Sequence, residues 1–258
     1  MYKACARKRE GKHVKNQSGT SNLTLISSTA QVSTDMGKAQ KHFSNRPEID
    51  FSPKTQQQAE LFYQLKHNNL VVALGPAGTG KTYTCCMQAA MWLTNGNTHK
   101  IVIARANVPT GRSLGAVPGT LEEKLEPWTM PMTDVLKRAL GRSLYEYHIS
   151  KANIEPVAIE TIRGRSFDNA VILIDEAQQL NMDEIKAITT RIGENSVLVL
   201  MGDPKQSDIK GNNALLNFVD LIDRHDPDGC IALEFGMEDI VRSDTCAQMV
   251  KMFYKEGL

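Results

Sequence analysis

From residue 70 onward, short continuous apolar runs alternate with longer segments whose apolar positions recur every three or four residues. "NNLVVALG", "KIVIARA", "VAIET", "AVILID", "SVLVLMGD" and "CIALEF" have strand length and strand composition, and predict six buried strands. "SPKTQQQAELFYQLK" predicts a helix with Ser52 or Thr55 as N-cap, and "KTYTCCMQAAMWLTNG" a helix closed near Gly96. Residues 121–148 predict helix broken at Pro127, Pro131 and Gly141, with Trp128 packed into the core or, in the alternative, stacking on a base. Further helices are expected near 182–192, 212–224 and 243–256, and a Gly/Pro-rich loop over 106–120. Strands that alternate with helices argue for an α/β domain on a mostly parallel sheet, with helices on both faces. No internal repeat is visible.

Residues 1–45 follow no such pattern. They are rich in Lys, Ser, Thr, Gln and Asn, which predicts a disordered arm, with "NLTLIS" as the one segment able to pair as a strand. Charge divides at the same place. Residues 1–50 hold nine Lys/Arg and four Asp/Glu, whereas the remainder holds 21 and 25. A basic arm on a mildly acidic body, residues 46–258, is therefore expected, with the arm either a solvated tail or a nucleic-acid contact. The 258 residues suffice for one sizeable core. Five cysteines form no C-x-x-C pair and no zinc spacing, and their odd number suits a reduced, cytoplasmic compartment. The apolar runs are too short to span a bilayer, and no apolar segment follows the basic start as a secretory signal requires.

Two stretches carry chemistry. "GPAGTGKT" fits the phosphate-loop pattern G-x-x-x-x-G-K-[ST] between a strand and a helix. Gly75, Pro76, Ala77, Gly78, Thr79 and Gly80 would wrap the phosphates of ATP with backbone N–H groups, beside the helix N-terminus and Tyr83. Lys81 would reach the β/γ-phosphates, and the Thr82 hydroxyl would ligate Mg²⁺. "ILIDEAQQL" puts Asp175 and Glu176 at the end of an apolar strand, where charge is costly unless used. Asp175 is the expected Mg²⁺ partner, Glu176 the general base on water. "SVLVLMGDPKQSD" ends in Gln206, an uncharged amide suited to sensing the γ-phosphate; a turn-stabilising role for that segment is the alternative.

The blocks "GPAGTGKTYT", "LGAVPGTLEEKLEPW", "IRGRSFDNAVILIDEAQQL", "TRIGENSVLVLMGDPKQSD" and "EDIVRSDTCAQMVKMFY" resemble, in order, a PhoH-type P-loop ATPase. The resemblance implies a RecA-like P-loop NTPase fold related to the first motor domain of superfamily 1 helicases. It implies ATP hydrolysis coupled to nucleic acid, with RNA helicase activity in the wider family, and a homo-oligomeric, hexameric ring. It also implies that Gln58 reads the adenine edge. The chain departs from the family in "RANVPTGRS", where many relatives have an Arg-Pro pair and an acidic residue in place of Arg112.

Arg105, Arg112, Lys124, Arg163 and Arg165 fall at or after strand ends, where parallel sheets bind ligands, and are expected to track the phosphates of RNA or single-stranded DNA. Surface charge or internal ion pairing is the competing reading. A superfamily 1 motor completes its site with an arginine from a second domain, and this chain has room for one. Arg242 is therefore expected to reach a neighbouring subunit's γ-phosphate in trans, or else to pair locally with Asp239 or Asp244. No four-carboxylate nuclease cluster and no small-molecule acceptor motif is visible. The leading expectation is an ATPase that remodels RNA or single-stranded DNA; a nucleotide-dependent binding switch without unwinding is the alternative.

Overall fold

The computed structural model describes residues 49–106, 121–206 and 213–256, with backbone alone for 121–124. The predicted arm, most of the loop after "KIVIARA" and Arg112 lie outside them. Six strands among the described residues make one sheet: β1 (Leu70–Leu74), β2 (Lys100–Arg105), β3 (Ile154–Pro156), β4 (Ala170–Asp175), β5 (Val197–Gly202) and β6 (Cys230–Glu234). Every pairing is parallel, and the order across the sheet is β3-β2-β4-β5-β1-β6.

A parallel sheet is covered on both faces, so its central strands read as unbroken apolar runs. Alternate residues serve opposite cores. Val72, Val102, Ile172 and Leu200 face one core, which α5 (Ile159–Ile162), α6 (Met182–Thr189) and α7 (Ala214–His225) close with Ile162, Ile185 and Leu215. Val71, Ile101, Leu173 and Val199 face the other. There α1 (Gln56–Gln64), α2 (Lys81–Asn95), α3 (Leu121–Leu140) and α4 (Arg142–Ser150) contribute Leu61, Ala89, Leu136 and Tyr145. The final helix, α8 (Asp244–Glu256), buries no residue.

Thr55 is the N-cap of α1, its hydroxyl accepting from the Gln58 N–H at 3.2 Å, which decides between the two expected caps. Two expectations change. "VAIET" is not a strand. The strand ends at Pro156, Val157 makes a last bond to the Ile103 carbonyl, and Ile159 and Ile162 are buried from one helical turn. Proline suits this edge strand because its missing N–H removes no ladder bond from the sheet interior. Nor do Pro127 and Pro131 break α3, which runs through both and ends only before Gly141, at φ 77°. The prolines lie four residues apart on the exposed side, away from the core contacts, while Leu125, Met132 and Leu136 hold the buried stripe. That geometry turns Trp128 outward, 39% exposed, so it is not core. Among the described residues no helix is long and apolar enough to cross a membrane.

Candidate nucleotide site

The parallel register brings the strand ends to one edge: Leu74 lies opposite Gly202 and Glu234, and Arg105 opposite Asp175. At that edge residues 75–80 leave β1 and enter α2. Gly75, Gly78 and Gly80 take φ of 138°, 85° and 83°, a backbone shape that side chains resist and that forms anion-binding nests. Gly78 also has a packing reason: a Cβ there would lie 2.7 Å from Arg242 Cγ.

Lys81 is buried. Its ammonium donates to the Gly75 carbonyl (2.7 Å), the Pro76 carbonyl (2.9 Å) and the Thr79 hydroxyl (3.2 Å), so its three hydrogens are all used within the loop. Burial pulls its pKa below the ordinary lysine value, opposed by the charges of Asp203, Asp175 and Glu176. An incoming phosphate supplies the anion that this cation lacks.

Thr82 Oγ1 donates to Asp175 Oδ1 at 3.3 Å. A hydroxyl and a carboxylate from different elements thus share one point beside the loop, a hard-oxygen pair of the kind Mg²⁺ uses with phosphate and water. Among the described residues no three His, Cys, Asp or Glu side chains cluster as a ready metal cage. The pair therefore fits a Mg²⁺ that takes its other oxygens from nucleotide and water. Burial, then the adjacent Glu176, raises the Asp175 pKa, partly offset by Arg105 and by hydrogen bonds from the Glu176 backbone and Thr82. Burial likewise raises that of Asp203.

Those shifts have a sign. A carboxyl whose folded pKa exceeds its unfolded one favours the fold fully below the ordinary value of 3.8, and loses that contribution as pH rises through the folded value. Asp175→Asn removes the buried charge. The nucleotide-free variant should gain about 1 kcal/mol at neutral pH, about 2–4 °C in Tm, with a flatter loss of stability as pH rises. Thermal melts without Mg²⁺ from acid to neutral pH measure this, and the same variant should lose Mg²⁺-dependent turnover.

Glu176 sits at φ 55°, ψ 36°, and starts a short 3₁₀ turn, Ala177–Gln179. Left-handed backbone at a non-glycine residue costs about 1–3 kcal/mol and persists where the surroundings enforce it. They do so here. Its Oε1 accepts from Arg105 Nη2 at 2.8 Å and its Oε2 from Gln178 Nε2 at 2.6 Å. Asn181 then opens α6 with a capping box, its side chain accepting from the Glu184 N–H at 2.9 Å.

At the end of β5, Gln206 Nε2 donates to Asp203 Oδ2 at 2.9 Å, and the Gln206 carbonyl accepts from Gln179 Nε2 at 3.0 Å. The amide is exposed but anchored, so the turn-stabilising role is real. Asp203 and Gln178 were not singled out from sequence. The DEAQ block contains Gln178, yet nothing local reveals that its side chain reaches a second strand.

The remaining expected residues divide. Gln58 is buried; its Oε1 accepts from the Lys54 N–H and its Nε2 donates to the Thr79 carbonyl, both at 2.9 Å. It fastens α1 to the loop, and reading adenine would use its second amide hydrogen and lone pair. Tyr83 is exposed, its ring 6.0 Å from that of Phe51, an aromatic neighbour not foreseen. Arg163 is exposed. The side chain of Lys124 lies outside the described residues. Arg165 forks onto both Glu155 oxygens at 2.8 Å, over the Phe167 ring, in line with the competing reading of internal ion pairing. Together with Lys100, the first residue of β2, it holds the Glu155 carboxyl down at about 2. Its guanidinium is engaged in that internal ion pair.

Arg242 lies beside the phosphate loop of its own chain. β6 lies beside β1, so the chain leaving β6 crosses its own phosphate loop. The Val241 N–H donates to the Gly78 carbonyl at 3.0 Å, and the Arg242 side chain lies against Gly78. Among the described residues it forms no ion pair with Asp239 or Asp244; Asp239 instead accepts from the Gly236 N–H at 2.9 Å.

A family model described as PhoH-like protein matches residues 50–254. A PhoH-like protein of Bacillus subtilis (strain 168) is 35% identical over 205 residues, 79% of this chain and 64% of that protein. Protein PhoH of Escherichia coli (strain K12) is 32% identical over 254 residues, 95% of this chain and 71% of that protein, so the chain spans only part of each relative's length. Among solved structures, the large terminase of a thermophilic bacteriophage overlays with a TM-score of 0.46 at 14% identity, over 79% of this chain and 50% of that one. With a phosphate loop, an acidic strand end and a family match over nearly all of its body, this chain belongs to the PhoH family of P-loop nucleotide-binding proteins.

Proposed function

We propose that this chain hydrolyses Mg·ATP and couples hydrolysis to binding of RNA or single-stranded DNA in the cytoplasm. The observation that carries the reading is the Thr82–Asp175 contact beside the lysine-bearing loop, with Glu176 next in sequence and pinned at both oxygens. A purely structural carboxylate pair has no reason to converge on a phosphate nest.

The roles follow from position. The loop glycines and the N-terminus of α2 receive the phosphates. Lys81 exchanges its loop carbonyls for β- and γ-oxygens. Thr82 and Asp175 would hold Mg²⁺, which supplies charge neutralisation on those oxygens when bound. Glu176 takes a proton from the attacking water, and Gln206 aligns that water from the end of β5. Arg242, lying on its own loop, serves as the arginine that meets γ-phosphate charge within one chain. Arg105 and Arg163, with Arg112 and Lys124, supply the basic groups for a phosphate backbone. Ring assembly is a separate proposal on which completion of the pocket does not depend.

Turnover measured with and without homopolymer RNA and DNA tests the coupling. Stimulation by either supports it, and equal rates with every polymer count against it. A strand-displacement assay run alongside separates remodelling from a binding switch. The arginine has its own test. Arg242→Ala and Lys81→Ala should each be inactive, and mixing them should restore nothing, because pocket and arginine belong to one chain. Activity recovered in proportion to mixed assembly would return Arg242 to a neighbouring subunit's site.

A further inference from the structure

Glu176 is held by two donors of different character. Arg105 ends β2 in register with Asp175, and its ion pair with Glu176 is solvent-reached, the two side chains 28% and 33% exposed. Gln178 is 1% exposed. Its Oε1 accepts from the Asp203 N–H at 3.1 Å, and a Cβ on Gly202 would come within 2.6 Å of that oxygen, so the amide is walled in from β5. One holder is exchangeable and the other is fixed.

We propose that the Arg105–Glu176 ion pair is a brake on ATP hydrolysis, released when a phosphate of single-stranded nucleic acid takes Arg105 away from Glu176. The proposal rests on the reading of Glu176 as general base. A base takes its proton on a carboxylate lone pair, and here Oε1 gives one to a guanidinium hydrogen and Oε2 one to the Gln178 amide, so neither oxygen turns both lone pairs to water. Guanidinium forks pair with phosphate as well as with carboxylate. An ion pair this exposed is weakly held, and a polyanion that releases counterions on binding competes well for its cation. When Arg105 departs, Gln178 keeps Oε2, so Glu176 stays at the site and Oε1 turns both of its lone pairs to water. The left-handed backbone at Glu176 keeps the side chain from relaxing elsewhere. Arg105 would thus join the nucleic-acid surface to the reacting water by exchanging a single hydrogen-bonded partner, and Gln178 would act as the positioning residue.

Steady-state ATPase assays on the full chain, with polyuridylate as the probe, test this. Arg105→Ala should raise polymer-free kcat by about fivefold or more, leave KM for ATP within about twofold, and reduce polymer stimulation to less than about twofold. Arg105→Lys keeps a charge able to pair but loses the fork, and should fall between wild type and Arg105→Ala; it carries the test if the alanine variant folds poorly. A residue that merely props the strand end predicts lower kcat in both variants with the stimulation ratio intact. That result, or polymer-free kcat at or below wild type in Arg105→Ala, overturns the brake. So does a wild-type rate that polyuridylate leaves unchanged. The double variant Arg105→Ala/Glu176→Gln should be inactive. Turnover surviving in Glu176→Gln alone would instead reject Glu176 as base, a failure separate from that of the brake.

Discussion

Glu176→Gln should bind ATP with nearly native affinity and turn it over about 10²–10⁴-fold more slowly, the usual share of a positioned general base. The amide keeps the size of the carboxylate and its one oxygen can still accept from either Arg105 or Gln178, though not from both, and neither bond involves the loop or Lys81. It cannot take a proton from water. The defect should fall on kcat and leave KM little changed, which separates loss of the base from loss of the pocket. Single-turnover hydrolysis beside equilibrium binding of a fluorescent ATP analogue measures both. Near-normal turnover would leave Glu176 a strained turn residue clamped for structural reasons alone.

Lys81→Ala should fail differently, losing ATP affinity and hydrolysis together. Its ammonium holds three loop oxygens in the nucleotide-free protein and is the buried cation nearest the phosphate nest. Truncation leaves the Gly75 carbonyl without its side-chain donor, leaves the Pro76 carbonyl with the Thr79 hydroxyl alone, and removes a charge whose attraction grows as γ-phosphate charge develops. Losing one such preorganised donor costs about 10²–10³ in rate. Binding should weaken in the same variant, so kcat/KM falls further than kcat. The fold itself should change little. The buried ammonium is already uphill, as its lowered pKa records, and its removal offsets part of the lost hydrogen bonding. Circular dichroism melts beside the binding measurement check this. A variant that binds ATP as wild type does would remove Lys81 from the phosphate site.

Most of the architecture was legible because it depends on near neighbours. Apolar runs of strand length located β1, β2, β4, β5 and β6, and the glycine spacing with the lysine located the loop between β1 and α2. The misread elements share a cause. Pro127 and Pro131 are breakers in isolation, yet the apolar stripe of α3 packs on the sheet and leaves both prolines facing water, so packing overrides propensity. "VAIET" is apolar enough for a strand, but the edge position ends pairing at Pro156 and the next residues bury themselves as a turn of helix. Misplacing that strand hid Glu155 beside Lys100, and so hid the partner that occupies Arg165.

The sequence by itself determined the phosphate loop, the paired carboxylates, the alternation that makes a parallel α/β domain, and the family. The first two rest on residues within one turn or one strand of each other, where spacing and side-chain type suffice, and the alternation and the family rest on the order of such short blocks along the chain. The order of strands across the sheet was decided only by tertiary structure, because parallel strands are joined through helices and the chain does not state which will be neighbours. That order put β6 beside β1, which laid Arg242 against Gly78 of its own loop. It put β2 beside β4, which brought Arg105 onto Glu176. The same packing seated Gln178 between the acidic strand end and Asp203. Meetings of distant segments were legible only where the phosphate-loop pattern implies them, as for Thr82 and Asp175; the others were not, because the free energy that selects them comes from burying both faces of the whole sheet.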